Sequence, residues 1–152
     1  MKNMNMHNIK RFHRIYKLLS LVLVFLLATG CVPVNENKIA ENGVYDQKDD
    51  VALYIYTYHK LPENYITKEE ARILGWEGGS LSKVVEGKCI GGDYYGNYEG
   101  TLPEDEAYHE CDINTLHSAS RGAERIVYSE DWDIYYTEDH YETFELLYEG
   151  DN

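Results

Sequence analysis

Positive charge is scarce in this chain: 14 lysines and arginines face 27 aspartates and glutamates, and five of the 14 fall within the first 31 residues. No acid lies among those 31, so the remainder sets nine cations against 27 anions, a formal charge of −18. Sequence-independent affinity for nucleic acid comes from cations that displace counterions, so the global charge argues against a polyanionic partner. A site for one has to be built locally. Long apolar stretches are also lacking, since the main run, Leu18 to Ala28, falls short of the roughly 20 residues needed to span a bilayer as a helix. There is no CxxC and no HExxH, and Gly91-Gly92 alone makes no phosphate loop. No metal or other cofactor is therefore expected. No internal repeat or low-complexity stretch stands out.

What is present points to one exported domain. A chain of 152 residues with 43% hydrophobic content and 15 tyrosines can fill a single core. Lys2, Lys10, Arg11, Arg14 and Lys17 precede the apolar run, which is the charge order of a secretory signal. The segment Leu27-Ala28-Thr29-Gly30-Cys31 resembles a bacterial lipobox, in which Cys31 would carry the lipid, and its small residues equally suit ordinary signal peptidase. Both outcomes lie outside the cytoplasm: release, or a lipid anchor on the outer face of the membrane. Only a lipid would bring this chain to a membrane. Three cysteines in an exported chain leave one over, so lipidation of Cys31 would leave Cys89 and Cys111 to form a disulfide. Two buried free thiols are the alternative.

Residues 1–31 thus read as a signal, 32–45 as a polar tether, and 46–148 as the folded domain. From Asp46 onward, Val51, Ile55 and Tyr58 fall at helical spacing, with acids at the start and His59-Lys60 at the end, an order that complements a helix dipole. Thr67-Lys68-Glu69-Glu70 is a capping box that opens a second helix, which Gly75 should stop. Ser80 to Val85 predicts one further helical turn. Segments 88–94, 108–114, 125–129, 133–136 and 143–147 then read as strands separated by Gly, Pro, Asn and Asp clusters. Helices followed by an antiparallel meander give an α+β fold, with two to three N-terminal helices packed on a five-stranded antiparallel sheet.

Individually, Lys68, Glu110, Arg121, Arg125 and His140 carry bland readings as solvated or structural groups. Their setting changes this. Thr57-Tyr58-His59-Lys60-Leu61-Pro62, Asn64-Tyr65-Ile66-Thr67-Lys68, Gly91-Gly92-Asp93, Asn97-Tyr98-Glu99-Gly100, Asp112-Ile113-Asn114, Arg125-Ile126-Val127-Tyr128-Ser129, Asp131-Trp132 and Thr137-Glu138-Asp139-His140-Tyr141 occur in one order across residues 51–147. These collinear blocks resemble the barnase-like family of secreted microbial ribonucleases.

The resemblance implies cleavage of RNA 3′ of guanosine without a metal. By matching position, Glu110 would be the general base, His140 the general acid, and Lys68, Arg121 and Arg125 the clamp on the phosphate. Tyr95-Gly96-Asn97-Tyr98-Glu99 matches the guanine loop, with Glu99 accepting from the base edge and Tyr141 flanking base or ribose. Asp93 and Asp112 would hold the cations by charge-assisted hydrogen bonds.

Tyr98 stands where the family pattern has arginine, which removes an auxiliary phosphate contact and weakens the expectation of a barstar-like acidic inhibitor. A monomer acting on RNA is the expectation. Two other readings compete: a catalytically silent acidic surface lipoprotein that uses the same fold for binding, and a ribonuclease toxin aimed at neighbouring cells.

Overall fold

The computed structural model describes residues 39–150; the signal, the lipobox and Cys31 lie outside them. Helix α1, Lys48–Tyr58, carries Asp49 and Asp50 in its first turn and buries Val51, Ala52, Tyr54 and Ile55. It ends where His59 turns left-handed (φ 52°) and returns its N–H to Ile55 O. Helix α2, Lys68–Ile73, starts on the capping box the sequence predicts: Thr67 accepts from Glu70 N–H, and the Glu70 carboxylate accepts from Thr67 N–H. Gly75 follows its last turn at φ 95°. The third helical segment is a single 3-10 turn, Leu81–Lys83.

The sheet has six strands rather than five, in sequential order: β1 Tyr65–Ile66, β2 Cys89–Tyr95, β3 Tyr108–Asp112, β4 Arg125–Ser129, β5 Ile134–Thr137 and β6 Glu145–Tyr148. The additional strand is β1, two residues paired parallel to β2; every other pairing is antiparallel. So short a strand offers no alternation to read. The segment 39–45, read as part of a tether, packs on the domain: Ile39 is buried, and Tyr54 and Tyr58 donate to the carbonyls of Glu41 and Ile39.

Alternation along the strands divides the sheet into two faces. Cys89, Cys111, Ile126, Tyr128 and Ile134 pack on α1 through Val51, Ala52 and Ile55. On the other face, Tyr108, Val127 and Leu102 gather Tyr95, Tyr135, Tyr141 and Phe144 around them. A bulge between β2 and β3 decides what joins this second face. Gly91 pairs with Cys111, but Asp93 pairs with Glu110, so Gly92 is the extra residue, held at φ 91°. Without it Asp93 would point to the helix side.

The same register corrects the disulfide. Cys89 and Cys111 are free buried thiols. Cys111 stands opposite Gly91, two residues beyond Cys89, a diagonal relation near 7 Å between Cβ atoms against the ~4 Å a disulfide needs. Asn64 Nδ2 lies 3.9 Å from Cys89 Sγ. Burial pushes the Cys89 thiol up to about 11 and Cys111 well above its ordinary value, so both stay protonated.

Candidate active site

Glu110 sits in the middle of β3, 7% exposed, with Asp93 and Val127 beside it in register. Lys68 Nζ donates to Glu110 Oε1 at 2.5 Å, and the Tyr141 hydroxyl donates to Oε2. Each carboxylate oxygen therefore has one donor and keeps a lone pair for a further one. Burial, and then the hydrogen bond to Glu110, raise the Tyr141 pKa, so this hydroxyl remains a donor. Lys68 is aimed by its own helix start, because its backbone N–H donates to Asp93 Oδ2 at 2.9 Å and Oδ1 at 3.2 Å. Asp93 thus holds Lys68 by charge-assisted hydrogen bonds made to its main chain.

Asp112, two residues along the same strand, organises both arginines. Arg121 donates Nε to Oδ2 and Nη2 to Oδ1, each at 2.7 Å, a bidentate fork that raises its pKa further. Arg125 Nε lies 3.0 Å from Asp112 Oδ1 as an ion pair, while its Nη1 donates to the carbonyls of Arg121, Gly122 and Glu124. The Arg125 side chain is 3% exposed and that of Arg121 22%. Arg121 is the accessible cation and Arg125 lies beneath it. The Arg121 side chain lies over the Trp76 ring, 5.8 Å from guanidinium carbon to centroid.

His140 and Tyr141 follow β5 in a loop where both have positive φ, 62° and 75°. Two consecutive non-glycine residues in that region cost on the order of 1–3 kcal/mol each, so the surroundings must hold them. Asp139 does much of this: it accepts from Thr137 Oγ1 at 2.8 Å and from Thr143 N and Oγ1 at 2.9 and 2.6 Å, while Tyr141 N donates to Thr137 Oγ1. The Thr143 hydrogen bonds hold the Asp139 carboxyl down at about 2. The exposed His140 ring lies against Tyr141, centroids 4.8 Å apart. Glu110 and His140 are therefore joined through one intervening side chain. Sequence reading passes over this Thr-Asp-Thr clamp; its only sign is the four-residue spacing of Asp139 and Thr143.

The loop after β2 has a different construction. Asn97, at φ 41°, donates Nδ2 to the carbonyls of Leu102 and Pro103 and accepts Leu102 N–H on Oδ1. Its side chain shapes the loop and is not offered to a ligand. The Tyr98 ring, 91% exposed, folds over Gly96 so closely that any side chain at 96 would collide with it. Tyr95 stacks on Tyr141 at 5.1 Å, which couples this loop to the carboxylate site. Glu99 is exposed, without an ion-pair partner among the described residues. No group of three His, Cys, Asp or Glu side chains suited to a metal ion gathers among the described residues.

A family model described as ribonuclease matches residues 48–148. The chain is 51% identical over 106 residues to a ribonuclease of Heyndrickxia coagulans, covering 67% of this chain and 96% of that protein. It is 51% identical over 106 residues to a ribonuclease of Bacillus intermedius, where the match spans 67% of this chain and 65% of the relative. It is also 42% identical over 57 residues to guanyl-specific ribonuclease St of Saccharopolyspora erythraea, covering 36% of this chain and 56% of that protein. The chain belongs to the barnase-like microbial ribonucleases, a family of RNA-cleaving enzymes.

Proposed function

We propose that this chain is an exported endoribonuclease that cleaves single-stranded RNA on the 3′ side of guanosine through a 2′,3′-cyclic phosphate, without a metal. Glu110 takes the proton of the ribose 2′-hydroxyl on a free lone pair. The 2′-oxygen then bonds to phosphorus, the bond to the 5′-oxygen of the next nucleoside breaks, and His140 gives that oxygen a proton. In the slower second step His140 takes a proton from water, the water oxygen bonds to phosphorus, the bond from phosphorus to the 2′-oxygen breaks, and Glu110 returns a proton to that oxygen. DNA lacks the nucleophile.

Negative charge gathers on the non-bridging oxygens in the transition state, and preorganised donors there lower the barrier. Arg121 meets those oxygens with the N–H groups Asp112 leaves unused, Lys68 adds its ammonium group, and Arg125 contributes charge from below. Glu99 accepts from the N1–H and N2–H edge of guanine, an edge adenine lacks. The loop backbone meets the base oxygen, and Tyr95 and Tyr141 wall the site. Tyr98 covers the loop from outside.

The observation that carries this reading is the double grip on Glu110 by Lys68 and Tyr141, with His140 lying on Tyr141. General acid–base catalysis needs one group to accept a proton and another to give one, and Glu110 and His140 supply those two chemistries. The test is purified exported protein with GpU and ApU in the presence of a chelator. Cyclic guanosine phosphate should form from GpU and far less product from ApU, and Glu110→Ala and His140→Ala should each lose about 10²–10⁴-fold in rate. A wild-type protein that leaves GpU intact sinks the reading. Export rests on the leader alone, and the mass of the mature N-terminus distinguishes a lipidated Cys31 from simple cleavage.

A further inference from the structure

Behind Glu110, on the side of the sheet that packs on α1, aromatic rings follow one another in a row. His59 lies on Trp132 with centroids 4.7 Å apart and planes 11° apart, Trp132 is parallel to Tyr128 at 6.1 Å and 6°, and Tyr128 lies against His109 at 5.7 Å and 26°. Tyr94 meets His109 edge-on at 6.5 Å. Parallel rings at the longer of these separations are offset, so each leaves part of its π face uncovered by its neighbour. Alternation along β3 sets His109 on the opposite side of the sheet from Glu110, so the row stands apart from the site described above.

Beside the row opens a cavity of about 280 Å³, lined by Gly92, His109, Tyr128, Ser129, Glu130 and Trp132. Room of that size suits a small ligand. Hydrogen-bonding groups of the lining are largely spent within the protein: His109 Nδ1 donates to Gly92 O, Ser129 Oγ accepts from Asp133 N–H, Glu130 N–H donates to Ala107 O, and Trp132 N–H donates to Ser129 O. The Glu130 carboxylate is exposed and makes no ion pair among the described residues. No lysine or arginine lines the cavity, and Asp131 follows Glu130 in the chain, so an anion is repelled there. A ligand rich in N–H donors finds few acceptors. A cation that carries methyl groups in place of N–H needs no hydrogen bonds, lays its charge on ring faces and has Glu130 as counter-charge.

We propose that this cavity binds a quaternary ammonium group, with its positive charge against Trp132, Tyr128 and His109. The rings are already held by one another, so little side-chain ordering opposes binding. The site is independent of the ribonuclease reading, because it lies across the sheet from Glu110.

The experiment titrates choline chloride into purified mature protein and follows by NMR the indole N–H signals of Trp132 and Trp76, the two tryptophans of the chain, with sodium chloride at equal concentration as the blank. The Trp132 signal should shift saturably with a midpoint on the order of 1 to 10 mM, the strength of two or three ring contacts, while Trp76 stays in place. Dimethylbutanol, the uncharged carbon analogue of choline, should bind about tenfold more weakly or worse. Glu130→Gln, a change at an exposed position, should weaken choline about two- to fivefold. Equal binding of the alcohol overturns the proposal, and so does a Trp132 shift that only follows the sodium chloride blank. Vesicles then separate the two sources of the group. Protein that sediments with phosphatidylcholine but not with phosphatidylglycerol takes a lipid headgroup, and protein that stays in solution while choline binds takes the free cation.

Discussion

At the phosphate end of the site, Lys68, Glu110, Asp112, Arg121 and Arg125 are drawn from a helix, two strands and a loop and are paired with one another, with Glu110, Asp112 and Arg125 buried. At the base end, one loop closes on itself through Asn97 and leaves Tyr98 and Glu99 exposed. The first arrangement sets charges before substrate arrives, so little reorganisation is left for the transition state. The second meets the core through Tyr95 and through Asn97 on Leu102, but its exposed Tyr98 and Glu99 can change without disturbing the fold. On the proposed reading, catalysis is bound to stability, whereas base recognition rests on exposed side chains that are largely free of it.

Removing Asp112 should break the phosphate end most severely. Arg125 would be left as a buried cation, and loss of one partner from such a pair typically costs about 3–5 kcal/mol. Urea unfolding of Asp112→Ala checks this, with a shift of the midpoint at constant slope as the expected form. A loss below about 1 kcal/mol would mean that the backbone carbonyls around Arg125 suffice to hold it and that the site is less tied to the fold than argued. Glu99→Gln tests the other end. Its stability should remain within about 0.5 kcal/mol of wild type, whereas preference for GpU over ApU should fall on the order of 10- to 100-fold. Preference retained with stability lost would invert the comparison.

Between these lies the start of α2, where Thr67 both caps the helix and precedes Lys68. Thr67→Ala should cost about 1 kcal/mol. If the cap also aims Lys68, turnover of GpU should fall by more than the lost folded fraction accounts for, which thermal melts and kinetics on the same sample can separate.

The sequence makes the helices and the five main strands legible because their apolar periods, the Thr67 capping box and the Gly, Pro and Asn breaks all act locally. Strand β1 is not legible, since two residues cannot show a period and its pairing with β2 is decided by packing. Cysteine parity misleads at Cys89 and Cys111, because parity carries no register, and the Gly92 bulge that sets the register is a matter of one backbone angle. Collinear blocks bring forward Lys68, Glu110, Arg121, Arg125 and His140, but not that Arg125 lies beneath Arg121 or that Asp93 grips a backbone N–H. Those facts depend on depth and direction, which spacing along a chain does not contain.

The smallest expected effect concerns the loop that carries His140, and its sign follows from Asp139. Hydrogen bonds from Thr143, and then Thr137, hold this carboxyl at about 2, below its ordinary 3.8. A group depressed in the folded state contributes stability above its unfolded value and loses it as pH falls through the folded one. Stabilisation by Asp139 is therefore complete near pH 5 and declines between 3.8 and about 2. Asp139→Asn keeps the shape but removes the charge, so the gap in melting temperature between it and wild type should be widest near pH 5 and close toward pH 2. Because the strained backbone at His140 and Tyr141 depends on the same carboxylate, the variant should also lose activity at pH 5 while the guanine preference proposed for Glu99 persists. A melting gap that does not vary with pH would show that the Thr-Asp-Thr clamp works by shape alone.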